Sequence, residues 1–253
     1  MIEAIIWGLV QGLTEFLPIS SSGHLVLIPE LLGFGPPTLA TSAVLHLGTL
    51  AAVVLYFRKD LWALRSYRRD ATAKRTIIWL VVGSLPAAIG LLLREELVAL
   101  QESTIAVSSA LIVTGLVLLV SSRLLVGTRR IEDLRALDAG LIGVAQALAL
   151  IPGISRSGMT ITAALGLRVE RSEAARFSFL LGIPAITAAG LLELSELVGQ
   201  AADVPGSLWV GVGVAALSGY AAIAFLLRML KTRGLAPFGY YAIVAGIVGL
   251  VLL

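Results

Sequence analysis

Cysteine is absent from the 253 residues. That removes disulfide scaffolds, Cys-ligated zinc or iron–sulfur centres and thiol nucleophiles, and it leaves the compartment unreadable from redox chemistry. Charged residues are scarce at 14% and aromatics at 6%. No nucleic-acid partner is expected despite a net charge of +3, because the basic residues lie between apolar runs and form no face interleaved with rings. What is abundant is apolar surface: 58% of the residues are hydrophobic, which takes the chain out of the soluble range and makes it an integral membrane protein. The apolar stretch from Ile2 to Leu17 carries Glu3 in place of a basic leader region and shows no small-residue cleavage site, so it reads as a retained segment.

A spanning helix needs about 20 apolar residues, so run length separates crossings from re-entrant pieces. Residues 2–17 stop at Pro18, and a second short run, 23–33, ends at Gly33-Phe34-Gly35-Pro36-Pro37. Longer runs follow at 39–57, 76–93 and 104–122. The order then recurs, with short runs at 137–151 and 158–167 and long ones at 174–192, 207–230 and 237–253. An offset of 135 lays Gly8, Gln11, Ile19, Ser20, Ser22 and Gly23 on Gly143, Gln146, Ile154, Ser155, Ser157 and Gly158. An offset of 134 lays Leu47-Gly48 on Leu181-Gly182, and Ser84 with Ala87-Ala88-Ile89 on Ser218 with Ala221-Ala222-Ile223. The chain therefore reads as one all-α polytopic membrane domain built by duplication, repeat 1 spanning about 1–130 and repeat 2 about 136–253. Each half is expected to hold one re-entrant helical hairpin and three crossings. The odd number of crossings makes the two halves an inverted repeat.

Charge gives the orientation. With the N-terminus outside, 17 of the 19 basic residues fall in inner loops, around Arg58–Arg75, Arg123–Arg135, Arg168–Arg176 and Arg228–Arg233. Arg94 alone lies in an outer loop, where Glu95, Glu96, Glu102, Glu193, Glu196 and Asp203 collect, and Arg156 sits at a hairpin tip. The positive-inside rule favours this arrangement. Hairpin one then enters from outside and hairpin two from the cytoplasm, their broken tips meeting near the midplane, where non-helical backbone is tolerated only within protein or around a cavity. Trp7, Trp62, Trp79 and Trp209 lie near segment ends and read as interface anchors. Small-residue runs such as Gly211-Val-Gly213 permit close helix packing, a homodimer being one use for it.

The first tip carries Gln11 and Glu15 one helical turn apart, then Pro18, Ser20-Ser21-Ser22, Gly23 and His24. A carboxylate at that depth needs a cation or a proton to share. Glu15 is either such a functional group or a structural carboxylate hydrogen-bonded to the serines. The hydroxyls offer both a helix N-cap and a nucleophile, with His24 as a proton carrier beside them. The second tip reads Pro152-Gly-Ile-Ser155-Arg156-Ser157-Gly158-Met-Thr160. A forked cation among hydroxyls and bare N–H groups at a helix start suits a phosphate. The alternative is that Arg156 neutralises Glu15 across the pseudo-twofold, and the two roles are compatible in turn. His46, lone on an apolar run, reads as a packing residue.

At these residues the sequence resembles the undecaprenyl-diphosphate phosphatase family, the bacitracin-resistance type of membrane phosphatase. The family's (E/Q)xxxE motif stands as Gln11 to Glu15, its serine and histidine region as Pro18 to His24, and its PGxSRSxxT motif as Pro152 to Thr160. The resemblance implies removal of the terminal phosphate from a C55 isoprenoid diphosphate at the outer face of the cytoplasmic membrane, recycling the lipid carrier of cell-wall synthesis. It also implies a divalent cation, Mg2+ or Ca2+, held by Glu15 and Gln11. Ser21, His24 and Glu15 become the catalytic candidates, and Arg156, Ser155, Ser157, Thr160 and Ser22 the diphosphate ligands. Gln11 stands where the family often has glutamate, leaving one carboxylate instead of two. Ser21 is the candidate nucleophile with His24 as base or acid, and direct attack by His24 is the competing route. Flipping of a polyprenyl phosphate is the alternative function that the inverted-repeat architecture suggests.

Overall fold

The structure is a computed structural model that describes residues 1–124, 127–199 and 205–253. Among these residues twelve α-helices make up the fold: α1 (Ile2–Phe16), α2 (Ser21–Leu31), α3 (Leu39–Tyr56), α4 (Arg58–Leu64), α5 (Ala71–Ser84), α6 (Arg94–Glu102), α7 (Thr104–Ser121), α8 (Ala136–Leu148), α9 (Arg156–Gly166), α10 (Arg171–Gly199), α11 (Gly206–Thr232) and α12 (Ala236–Leu252). A 3-10 segment, Leu85–Leu91, prolongs α5, and no strand is present among the described residues. Asp203 and the side chains of Glu193 and Glu196, three of the outer-loop acids, lie outside what is described.

Length and composition qualify α7, α11, the 71–91 stretch and the 171–191 stretch as membrane spans, and α3 with α4, bent by 72°, as a fifth. The run at 237–253 forms a helix of 17 residues, about 25 Å at ~1.5 Å per residue, a little short of the ~30 Å hydrocarbon layer. Side chains such as Leu137, Leu217 and Val251 are more than 70% exposed. That apolar exterior is what a hydrocarbon solvent accepts, and the chain is a multi-pass membrane protein. Two elements depart from the run-by-run reading, because the charged stretches after α3 and after the 3-10 segment are helical as α4 and α6. Arg, Lys, Leu and Ala dominate α4 and Glu, Leu, Arg and Ala dominate α6, good helix formers whatever their polarity.

Glycines set how the helices pair. A side chain at Gly8 would strike the Gly211 carbonyl, and one at Gly12 would strike Ala215 and Ser218, so α1 and α11 run parallel in backbone contact. Gly143 meets the Gly83 carbonyl and Leu150 meets Gly90, which sets α8 parallel to α5 and its 3-10 extension. Gly115 packs on Gly239 while Ser108 packs on Gly246, so α7 and α12 are antiparallel. Small residues allow this because membrane helices associate by close van der Waals contact, with little hydrophobic drive. Gly211 is thus engaged within the chain, whereas Gly213 faces open space.

The core gathers where both halves meet. Phe16 and Phe179 lie edge to face at 5.7 Å, and Phe57 joins them at 5.9 Å. On the side carrying most basic residues, Arg129 bonds Asp138 at 2.6 Å, and Arg176 bridges Asp60 and Glu173. Arg129 also exchanges backbone bonds with Arg168 and Glu170, closing the base of the α8–α9 hairpin.

Candidate active site

Pro18 disfavours helical geometry at the residue before it, and Leu17 is accordingly extended at φ −67, ψ 143. The chain reverses at Ser20, whose φ of 71 lies in a region that non-glycine residues avoid. Such strain costs on the order of 1–3 kcal/mol and persists only where the surroundings over-determine it. Here they do so twice. Ser20 Oγ accepts the Gly23 N–H at 3.3 Å, capping α2, and its carbonyl lies 2.8 Å from His24 Nδ1. A carbonyl only accepts, so Nδ1 carries the proton. In the neutral ring Nε2 then accepts from the Tyr241 hydroxyl, 2.9 Å away. Tyr241 also stacks on the imidazole, with centroids 5.5 Å apart and planes within 10°.

The second tip turns at Gly153, where φ is 93 and a side chain would collide with the Val107 carbonyl, so glycine is required. Thr114 of α7 splints this loop: its hydroxyl donates to the Gly153 carbonyl at 2.9 Å and accepts the Ser155 N–H at 3.1 Å. Ser155 Oγ caps α9 through the Gly158 N–H. The tips then hold each other. Ser22 Oγ accepts the Gly153 N–H at 3.3 Å, and Ser157 Oγ donates to the Leu17 carbonyl at 3.2 Å. Ser22 and Ser157 are repeat counterparts, so each half contributes the same serine to the other's backbone. The N-termini of α2 and α9, with their free N–H groups, are thereby brought together.

Glu15 sits at the junction. Its Oε1 accepts Arg156 Nη2 at 2.9 Å, and its Oε2 accepts Ser21 Oγ at 2.6 Å and Gln11 Nε2 at 3.2 Å. The Glu15 side chain is 9% exposed and that of Arg156 15%. The second guanidinium nitrogen reaches the Ser178 carbonyl at 3.4 Å. A Cβ at Gly182 would overlap the guanidinium, so α10 is hollowed to receive it. The structure therefore unites Gln11, Glu15, Ser21 and Arg156 directly. Ser22, Ser155 and Ser157 serve the tips themselves. Thr160 turns to α10, 2.6 Å from Ser178 Oγ. His24 bonds to the Ser20 carbonyl and the Tyr241 hydroxyl. His46 bonds the Ser42 carbonyl at 2.9 Å and lies within electrostatic reach of Glu15.

Tyr241, Thr114, Ser178 and Gly182 were not legible as site residues. Each is an ordinary residue type in an apolar run, although Gly182 had surfaced as the repeat partner of Gly48. Gly182→Ala is expected to push the guanidinium off its seat and to cut turnover by about 10²-fold, since misplacement by about 1 Å costs that much. Activity and thermal unfolding measured side by side check this, with unfolding close to wild type.

For a metal, no group of three or more His, Asp or Glu side chains converges among the described residues. The donors that exist are the Glu15 carboxylate and the Gln11 amide oxygen, which is buried without a partner. They fit a hard divalent cation that completes its shell with phosphate oxygens and water, as magnesium commonly does.

The model of the bacitracin resistance protein BacA family matches residues 4–248. The chain belongs to this family. Among its relatives, the undecaprenyl-diphosphatase of Myxococcus xanthus (strain DK1622) is 49% identical, over all of this chain and 89% of its own. Undecaprenyl-diphosphatase 2 of Stutzerimonas stutzeri (strain A1501) is 44% identical over 100% and 98%, and the undecaprenyl-diphosphatase of Synechococcus sp. (strain RCC307) is 42% identical over 99% and 92%. Membership covers both broken tips, so the Gln11–Glu15 and Arg156 segments fall within the family's span.

Proposed function

We propose that this member of the family hydrolyses the terminal phosphate of undecaprenyl diphosphate, giving undecaprenyl phosphate and inorganic phosphate. The observation that carries the reading is the Arg156–Glu15 pair at two joined helix N-termini. In it a forked cation already holds an anion in the place a phosphate would take.

On entry the terminal phosphate replaces Glu15 as the partner of Arg156, whose fork spans two of its oxygens. Glu15, relieved of the guanidinium, takes the proton of Ser21 Oγ, to which it is already bonded. The Ser21 oxygen forms a bond to the terminal phosphorus, the bond to the bridging oxygen breaks, and the lipid monophosphate departs with the proton. Water then attacks the phosphoserine with Glu15 again accepting a proton, which regenerates Ser21 and frees phosphate. Phosphoryl transfer depends mainly on positioning and charge stabilisation, which Arg156 and the α2 and α9 N–H groups provide. Ser21 is preferred to His24 as nucleophile, because both ring nitrogens of the 2% exposed His24 are engaged. His24 positions the start of α2 with Tyr241. A magnesium or calcium ion, when bound by Glu15 and Gln11, supplies further neutralisation of phosphate charge.

The site is placed at the outer face of the cytoplasmic membrane, with the second half inserted upside down. The antiparallel packing of α7 and α12, counterparts in the two halves, supports this reading. Both termini are then outside. A single cysteine at the exposed Ser66, clean in a cysteine-free chain, is expected to be blocked only by an impermeant reagent on the cytoplasmic side. Blocking from outside alone would reverse the orientation.

Lipid carriage finds no support in the relatives, which are named as phosphatases. Phosphate release by purified protein in detergent, where no two sides exist, separates hydrolysis from carriage. Release is expected, and its absence would remove the hydrolytic reading.

A further inference from the structure

The end of α11 carries cations that the reaction does not use. Leu217, Tyr220, Ala224, Arg228 and Lys231 follow one another along it at spacings of three, four, four and three, so they share one face, and all five are exposed. That face turns from apolar to cationic over a definite length. From Leu217, near the middle of α11, to Arg228 it runs about 16 Å at ~1.5 Å per residue, close to half of a ~30 Å hydrocarbon layer and so to one leaflet.

At its cationic end the face walls a groove of about 400 Å³, whose other walls are Tyr56 and Phe57 at the end of α3 and Ser172, Glu173 and Arg176 in the first turns of α10. Tyr56 tilts against Tyr220 with ring centroids 5.0 Å apart, an aromatic pair of the kind that sits at headgroup level. The charges around the groove are not equivalent. Arg176 holds Asp60 and Glu173, and Glu173 also accepts the Ile131 N–H at 3.3 Å. Arg171 donates to the Leu230 carbonyl at 3.4 Å. The Arg228 and Lys231 side chains, by contrast, have no hydrogen-bond or ion-pair partner among the described residues. Two uncommitted cations beneath an apolar stripe one leaflet long match an anionic lipid in both charge and length, and basic pockets between membrane helices take such headgroups.

We propose that this groove binds one anionic glycerophospholipid, its phosphate held by Arg228 and Lys231 and an acyl chain lying along Ala224, Tyr220 and Leu217. The substrate's phosphate has its own place at Arg156, on the other side of α10, since Arg176 and Ser178 are two positions apart and point away from each other. What fits the groove is a lipid of the surrounding bilayer, with its phosphate at the interface and chains one leaflet long. Because α10 both walls the groove and seats Arg156, the bound lipid braces the helix that positions the guanidinium.

The test uses the full chain in a neutral detergent, stripped of lipid, with a single cysteine introduced by Ala224→Cys. Val244→Cys, on an outward surface 59% exposed, is the reference. Maleimide labelling rates are read with dioleoyl phosphatidylglycerol, dioleoyl phosphatidylcholine, undecaprenyl phosphate and inorganic phosphate. The expected result is about tenfold slower labelling at residue 224 with phosphatidylglycerol at about ten times its half-protecting concentration, and no change at residue 244. Adding Arg228→Gln and Lys231→Gln should raise the half-protecting concentration about thirtyfold, at about 1 kcal/mol for each cation. That variant should unfold at the wild-type temperature when no lipid is present. Arg68→Gln with Arg69→Gln removes the same charge from an exposed loop and should leave protection unchanged. Equal protection by phosphatidylcholine would overturn the proposal, because no cation would then be reading the charge. Equal protection by inorganic phosphate or by undecaprenyl phosphate would overturn it too, assigning the cations to an ion or to the substrate lipid, and so would an equal loss in the loop variant.

Discussion

Arg156→Lys is expected to lose about 10²–10³-fold in phosphate release, nearly as much as Arg156→Ala. Removing one preorganised donor from a site of developing negative charge costs that range. Lysine keeps the charge but loses the planar fork. The geometry makes the substitution severe. One guanidinium nitrogen meets Glu15 at 2.9 Å while the other faces the Ser178 carbonyl, above the hollow left by Gly182. A single ammonium cannot reach both walls. Steady-state rates of the two variants decide the matter, and near-wild-type turnover by Arg156→Lys would reduce the residue to a source of field.

Glu15→Gln should bring activity close to background. The carboxylate is the anion of Arg156 and the acceptor for Ser21 and Gln11 at once. An amide in its place holds no proton from Ser21 and leaves an arginine side chain only 15% exposed without its counter-charge. Breaking a buried pair from one side costs about 3–5 kcal/mol, so the variant should also unfold earlier unless phosphate is bound. Gln11→Glu works in the opposite sense. It adds a second carboxylate one turn away and is expected to tighten apparent divalent-metal affinity. A metal titration of phosphate release for wild type and both variants checks both expectations. Retained activity and metal response in Glu15→Gln would make Glu15 a structural carboxylate.

The sequence carried the hairpins well, because their signals are local. Pro18 and Pro152 stop α1 and α8 within a few residues, and Ser20 and Ser155 cap the helices that follow. The Glu15–Arg156 meeting was also within reach, since an unpaired charge at the membrane midplane needs an opposite one. Tyr241 was not. It lies 217 positions from the histidine it holds, in an apolar run where a tyrosine has many ordinary uses. Gly182 and Thr114 escaped for the same reason, as their roles exist only once α10 and α7 are packed against the second tip. The partners of His24 escaped in the same way, because nearness in sequence points to Ser21, while the bonds to the Ser20 carbonyl and Tyr241 exist only once α2 and α12 are placed.

The most direct measurement is phosphate release from undecaprenyl diphosphate by the purified protein in detergent, wild type beside Ser21→Ala. Hydrolysis at the joined tips predicts that wild type frees one phosphate per lipid and leaves the monophosphate. It also predicts that Ser21→Ala falls by ~10³-fold or more, the scale of losing a nucleophile. Turnover by Ser21→Ala equal to wild type would contradict it, because the group bonded to Glu15 at the centre of the site would then have no part in the reaction.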